Sequence, residues 1–240
     1  GNKDRLCQYA CGRNFEVLKW AHNKLNLPWA PCLAGRVSDE FLVLHVLRET
    51  WPQLKRYWRV NVRPEEWRGV TMENGRVVKL VLVESRLTGA VPAEIGQLAS
   101  LRELHLRGNQ LTSLPAEIRQ LTSLRILNLH RNRLTSLPAE IGQLASLTWL
   151  DLGGNQLTSV PAEIGQLTSL TYLSLYNNKL TSVPAEIGQL TALRELHLDD
   201  NKLTSLPAEI GQLRLLEELI LYRNKLTSLP AAIRERRAAG

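Results

Sequence analysis

The chain has 240 residues, 44% of them hydrophobic and 22% charged, so it can bury the core of one large domain or two modest ones. No apolar run approaches the roughly 18 residues of a membrane helix, and no membrane insertion is expected. The net charge of +7 is unevenly placed: residues 1–76 hold 13 Lys/Arg against 8 Asp/Glu, residues 77–233 hold 14 of each, and Arg234-Glu235-Arg236-Arg237 supplies the rest. A neutral central stretch does not make a groove for phosphates, which excludes a nucleic-acid partner from the expectations.

The chain opens Gly1-Asn-Lys-Asp-Arg with neither an initiator Met nor an apolar signal segment, as an excised or processed fragment would. Cys7, Cys11 and Cys32 are odd in number and irregular in spacing, a poor disulfide framework. They read as buried, reduced thiols, the alternative being a zinc site with His22 or His45. Phe15-Glu-Val-Leu-Lys-Trp20-Ala reads as an amphipathic helix stopped before Pro28, and with Pro28-Trp29 it resembles the helical half of an ankyrin repeat. Ser38 is placed to cap a second long helix through Leu42, Val43, Val46 and Leu47, interrupted by Pro52. Residues 1–70 hold five of the six tryptophans, so this stretch is compositionally distinct. Trp51, Tyr57, Trp58 and Trp67 are expected to plug the open end of the core that follows; an exposed ligand platform is the alternative.

From there the chain repeats. Pro92, Pro115, Pro138, Pro161, Pro184, Pro207 and Pro230 stand 23 residues apart, and Asn109, Asn132, Asn155, Asn178, Asn201 and Asn224 keep the same step. In Leu147-Thr-Trp-Leu150-Asp-Leu152-Gly-Gly-Asn155 the alternation predicts a short strand with leucines inward and their neighbours outward. The repeated Asn is expected to bond the backbone groups left open where each strand turns. In the return segment Pro161 suits the first helical turn, Glu163 its positive end, and Gly165 an abrupt exit. One unit cannot bury its leucines alone, whereas a stack can.

The pattern L-x-x-L-x-L-x-x-N-x-L at a fixed period in the twenties is the leucine-rich-repeat signature. The recurring Leu-Thr-Ser-Leu-Pro-Ala-Glu-Ile-Gly-Gln-Leu unit resembles Ras-group repeats, among them the Scribble-like and plant intracellular members. The resemblance covers about residues 77–233. It implies an α/β fold: a right-handed solenoid of about seven repeats with a parallel concave sheet, preceded by a small helical domain. The expected divisions are residues 1–70, 71–233 and a basic tail at 234–240. It also implies scaffolding or signalling in the cytoplasm without identifying the partner, for which a small GTPase or another signalling protein is the candidate. Trp67-Arg-Gly-Val70 leading to Asn74-Gly-Arg-Val77 is similar to the N-terminal cap of plant-type leucine-rich-repeat proteins. Glu65 and Met72 stand where those caps hold cysteines, which fits a reducing compartment. The tail from Arg234 breaks the repeat and reads as a polar end cap, with targeting or an acidic partner as the alternative.

Comparing the copies with one another locates the variation on the outward strand positions. One column reads Lys79, Glu103, Ile126, Trp149, Tyr172, Glu195, Glu218; the next Val81, His105, Asn128, Asp151, Ser174, His197, Ile220; the third Val83, Arg107, His130, Gly153, Tyr176, Asp199, Tyr222. Varied residues on one sheet face suggest a shaped recognition surface, although surface positions also drift freely. The expected partner-binding set is Ile126, His130, Arg131, Trp149, Asp151, Tyr172, Tyr176, His197, Asp199 and Tyr222, beside open spots at Gly153 and Gly154. Trp149, Tyr172 and Tyr176 are expected to form one apolar patch. The acidic flank of Glu195, Asp199, Asp200, Glu217 and Glu218 suits a basic patch on the partner.

Asp151, Ser174 and His197 stand side by side but in the wrong order for a triad, with Asp151 and His197 about 10 Å apart. His105 and His130 lack a third firm ligand, and no Gly-rich phosphate loop occurs. No enzyme activity, cofactor or metal is expected. The reading is a protein-recognition module, the alternative being a structural spacer in a larger assembly; the oligomeric state is left open.

Overall fold

The computed structural model describes residues 39–59 and 62–234. The three cysteines, the ankyrin-like 15–29 segment, Ser38 and the tail beyond Arg234 lie outside them.

Helix α1 (Asp39–Thr50) stops just short of Pro52, which disfavours helical backbone at the residue before it; Trp51 sits at φ −113°, ψ 84°. A short 3-10 turn, Pro52–Arg56, follows. Val43, Leu44 and Leu47 of α1 are buried with Trp51, Leu54, Trp58 and Trp67. The Trp58 and Trp67 rings stack at 5.0 Å, and their indole N–H groups donate to the carbonyls of Arg68 and Arg59, each at 3.0 Å. Three of the four expected aromatics thus plug the core. Tyr57 does not: it is exposed, its ring held by the guanidinium of Arg68 at 5.1 Å. Glu40 is also buried, and its carboxylate accepts the Val77 N–H, tying α1 to the first long strand.

In chain order the strands are β1 (Val70–Glu73), β2 (Arg76–Val81), β3 (Thr88–Ala90), β4 (Glu103–His105), β5 (Gln110–Ser113), β6 (Ile126–Asn128), β7 (Trp149–Asp151), β8 (Tyr172–Ser174), β9 (Glu195–His197) and β10 (Glu218–Ile220). β2, β4, β6, β7, β8, β9 and β10 pair in parallel, one strand per repeat, as expected. β1 adds an antiparallel edge strand that the repeat pattern did not announce. Asn74 and Gly75 link it to β2 at φ 52° and 76°, the two-residue turn that Asn-Gly favours. β3 and β5 form a separate two-stranded sheet.

Leu104, Leu127 and Leu150 are fully buried, and one apolar core runs from Val43 to Leu213. The Asn ladder behaves as expected. Asn155 accepts the Leu134 N–H at 3.0 Å and donates to the carbonyls of Leu129 and Leu152 at 3.0 and 2.9 Å, joining its own repeat to the preceding one.

The return segments correct the sequence reading in two details. They are five-residue 3-10 turns such as Ala162–Gln166, and Pro161 stands before the turn in extended backbone, φ −66°, ψ 149°, rather than in its first residues. Gly165 needs no unusual φ; a Cβ there would lie 2.4 Å from the Glu186 carbonyl oxygen of the next repeat. Its role is close stacking, not an abrupt exit. In the last described repeat Leu215 is exposed and Leu216, Leu219, Leu221 and Leu226 are only partly buried, since β10 is the last strand of the sheet and no further described repeat stacks on its outer side.

Candidate functional site

The strand pairing sets the outward columns in the register that the repeat spacing implies. Glu103, Ile126, Trp149, Tyr172, Glu195 and Glu218 face one another in sequence across β4 to β10, as do His105, Asn128, Asp151, Ser174, His197 and Ile220. Neighbouring side chains in a column therefore stand about 4.8 Å apart, close enough to stack.

The aromatic side chains use that spacing, but form two stacks rather than one patch. Trp149 and Tyr172 lie nearly parallel, ring centres 5.0 Å apart and planes 10° apart, both half-buried. Tyr176 turns the other way, reaching over Gly153 to stack on His130 two repeats back, at 5.4 Å and 29°. Its hydroxyl lies 3.3 Å from His130 Nε2. Gly153 makes this possible: a Cβ there would meet the Tyr176 ring at 2.4 Å. The spot expected to be open is thus roofed by Tyr176, and Gly153 is buried. Gly154 serves backbone geometry, at φ +65°, the left-handed position that Arg131, Asn177, Asp200 and Arg223 occupy in the other repeats.

The polar members are less available than outward projection implied. His130 and Asp199 are buried. His130 Nδ1 lies 3.5 Å from the Asp151 carboxylate without hydrogen-bond geometry. Burial holds the His130 imidazole below its usual pKa, with Arg107 and Arg131 pushing the same way and Asp151 opposing. Asp151 itself accepts the Gly153 N–H at 2.9 Å. Burial, then the Asp151 charge, raises the Tyr172 hydroxyl. Tyr222 is exposed at the far end, where interaction with the Asp199 carboxylate holds its hydroxyl above the usual pKa. Arg131 is exposed and Ile126 half-buried.

His197 turns its Nδ1 to the Tyr172 hydroxyl at 3.5 Å and its Nε2 toward Glu195 at 3.9 Å, so its ring serves neighbours other than Ser174, which is buried. His105 Nε2 lies 3.0 Å from the Glu103 carboxylate, which pairs with Lys79 at 2.7 Å; His105 and His130 are thus committed to separate partners. The sequence reading missed a cluster one strand pair further on: ligand atoms of Glu195, His197 and Glu218 all lie within 4.8 Å of one another. The signal was present in the recurrence of Glu-Leu-His with another Glu in register.

The family described as leucine-rich repeat region matches residues 73–199, and a single leucine-rich repeat is matched again at 192–213. The chain belongs to the leucine-rich-repeat family. Nothing among the curated proteins matches this leucine-rich-repeat chain. Among solved structures it is similar to a leucine-rich-repeat protein of Leptospira interrogans, at 47% identity over 62% of this chain and 38% of that one, with a TM-score of 0.60. It is also similar to the ectodomain of the Arabidopsis receptor kinase HAESA, solved with an extended peptide hormone ligand: 28% identity, 80% of this chain, 34% of that one, TM-score 0.69. The same receptor solved with its peptide hormone and a co-receptor gives 27% identity over 82% of this chain and 36% of that one, TM-score 0.72. The chain therefore spans a little over a third of the length of these structures. No helix among the described residues is long and apolar enough to cross a membrane.

Proposed function

We propose that this chain is a recognition module that takes a protein or peptide partner on its concave face, centred on Trp149 and Tyr172. The observation that carries the reading is the parallel stack of those two rings on a face whose other positions are mostly polar or charged. Exposed apolar surface is unfavourable by roughly 25 cal/mol per Å², and a partner covering the rings would relieve that cost. Trp and Tyr flanked by charge are the usual composition of an interface centre. The receptor ectodomains similar to this chain, solved with a peptide hormone, support the class of ligand.

In this reading Ile126, His130, Arg131, Asp151, Tyr176, His197, Asp199 and Tyr222 surround the centre, with the buried His130 holding Tyr176 in place. Residues 1–70 act as the N-terminal cap, 71–233 as the solenoid and 234–240 as a basic tail; the packing of Trp51, Trp58 and Trp67 into the first repeat supports the first division. The finer reading, an intracellular Ras-group-like scaffold engaging a small GTPase or another signalling protein, rests on the repeat resemblance alone. The chain acts by binding, not by catalysis, in this account.

The test compares two variants against a partner captured by the intact chain and then purified. Trp149→Ala should weaken binding about 30-fold or more, since truncating a central anchor costs about 2 kcal/mol or more. Glu103→Ala, nearer the N-terminal end of the sheet, should change affinity much less. Equal effects, or none at Trp149, would move the contact to the convex side or the ends, as a structural spacer would use them.

A further inference from the structure

Two strands carry the same tripeptide, Glu103-Leu104-His105 on β4 and Glu195-Leu196-His197 on β9, with Glu and His facing the concave side. Their surroundings differ in charge. In the first copy the Lys79 ammonium lies 2.7 Å from the Glu103 carboxylate, and His105 Nε2 lies 3.0 Å from the same group. In the second, the next strand sets Glu218 directly opposite Glu195. Like charges in such a pair repel. The nearby guanidinium groups of Arg194 and Arg223 are engaged by Glu217 and Asp200.

His197 is oriented toward this acidic pair. Its Nε2 is shut off from solvent without a hydrogen-bond partner and lies 3.9 Å from the Glu195 carboxylate. Its Nδ1 lies 3.5 Å from the Tyr172 hydroxyl, against whose ring it packs edge-on. One imidazole nitrogen steadied by an outer partner and the other aimed at carboxylates is how a metal-binding histidine is usually held.

We propose that Glu195, His197 and Glu218 bind one divalent transition-metal ion, such as Zn2+, on the concave face. The three ligand atoms already lie within 4.8 Å of one another. Zinc bonds of about 2.0–2.2 Å require them to close to about 3.4 Å in a tetrahedral site. Glu218 is exposed and free to rotate inward. The ion would replace the cation that Lys79 supplies in the first copy and leave a coordination position for water or a partner group. Imidazole with carboxylates suits zinc and its transition-metal neighbours better than calcium or magnesium, which prefer oxygen alone.

The test is calorimetric titration of Zn2+ into the full chain after its cysteines have been alkylated, so that thiols cannot compete. No partner is present, so the outcome is independent of the recognition reading. About one ion per chain should bind, with affinity falling tenfold or more in both His197→Ala and Glu218→Gln and unchanged in His105→Ala. Circular dichroism should show all three variants folded. The proposal fails if no saturable binding occurs, if binding survives both substitutions, or if His105→Ala weakens it equally. Absent zinc binding would instead mark the acidic pair as a seat for a basic side chain of a partner.

Discussion

Replacing Asn155 by Ala removes four hydrogen bonds at once, the weakest a 3.4 Å donation to the Gly153 carbonyl, and the structure says how much the other three should matter. The Leu134 N–H has the Asn155 Oδ1 as its acceptor at 3.0 Å, and its burial leaves water no access. Orphaning it costs about 1–3 kcal/mol. The carbonyls of Leu129 and Leu152 fare better, because each also accepts from a second ladder residue: Asn132 for Leu129 and Asn178 for Leu152, both at 3.0 Å. Losing one of two bonds there costs about 0.5–1.5 kcal/mol apiece. The three shorter bonds sum to a loss of about 2–6 kcal/mol. Asn224 makes the corresponding bonds to Leu203, Leu198 and Leu221, but in a half-buried terminal repeat where water can substitute, so Asn224→Ala should cost clearly less. Asn155→Asp keeps the Leu134 bond yet sets a carboxylate against two carbonyl oxygens, and should be at least as damaging as Ala. Urea unfolding followed by circular dichroism measures all three. A loss below about 1 kcal/mol at Asn155, or equal losses at Asn155 and Asn224, would refute the ladder as a tie between repeats.

Two further outcomes concern titration and packing. Burial first, and the Arg48 charge second, lower the pKa of His45 from 6.5 to about 4. The unfolded chain takes up that proton near pH 6.5 while the folded one resists, so stability should fall as pH drops from 6.5 to about 4, by up to ~3 kcal/mol at the lower end. His45→Phe, which keeps a ring against Trp67, should flatten most of this slope in unfolding curves taken across that range; His130 leaves a residual slope of the same sign, and an unchanged curve would assign the acid sensitivity elsewhere. Gly153→Ala should displace Tyr176, because the new Cβ would meet its ring at 2.4 Å. With the roof gone, the His130 titration followed by proton NMR should move up toward the ordinary imidazole value, at a stability cost of about 1 kcal/mol. An unmoved titration would mean that the Tyr176 ring does not shelter it.

The period of 23 residues, the inward leucines and the Asn at each strand end made the solenoid readable, because a repeat needs only its neighbours to satisfy it. The same logic made the outward columns readable, since strand alternation and a constant step leave one register. The N-terminal plug was legible from its tryptophans, but the exposure of Tyr57 was not, since composition does not say which ring Arg68 will hold. Asn74-Gly75 carried a hairpin signal that the cap resemblance overshadowed, and β1 went unseen. Orientation within the concave face was not legible at all. Whether Tyr176 meets its strand neighbour or crosses Gly153 to His130 depends on which ring finds room, and room is created by a missing Cβ on an intervening strand. Likewise Glu195 and Glu218 are ordinary surface residues in the sequence; only strand pairing sets them face to face beside His197. Periodic patterning by itself determined the backbone and the core of this protein, because backbone bonding and leucine burial are local and repeated. Which side chains act together was decided by the tertiary structure, because stacking and charge pairing depend on distances across strands that lie 23 or 46 residues apart in the chain.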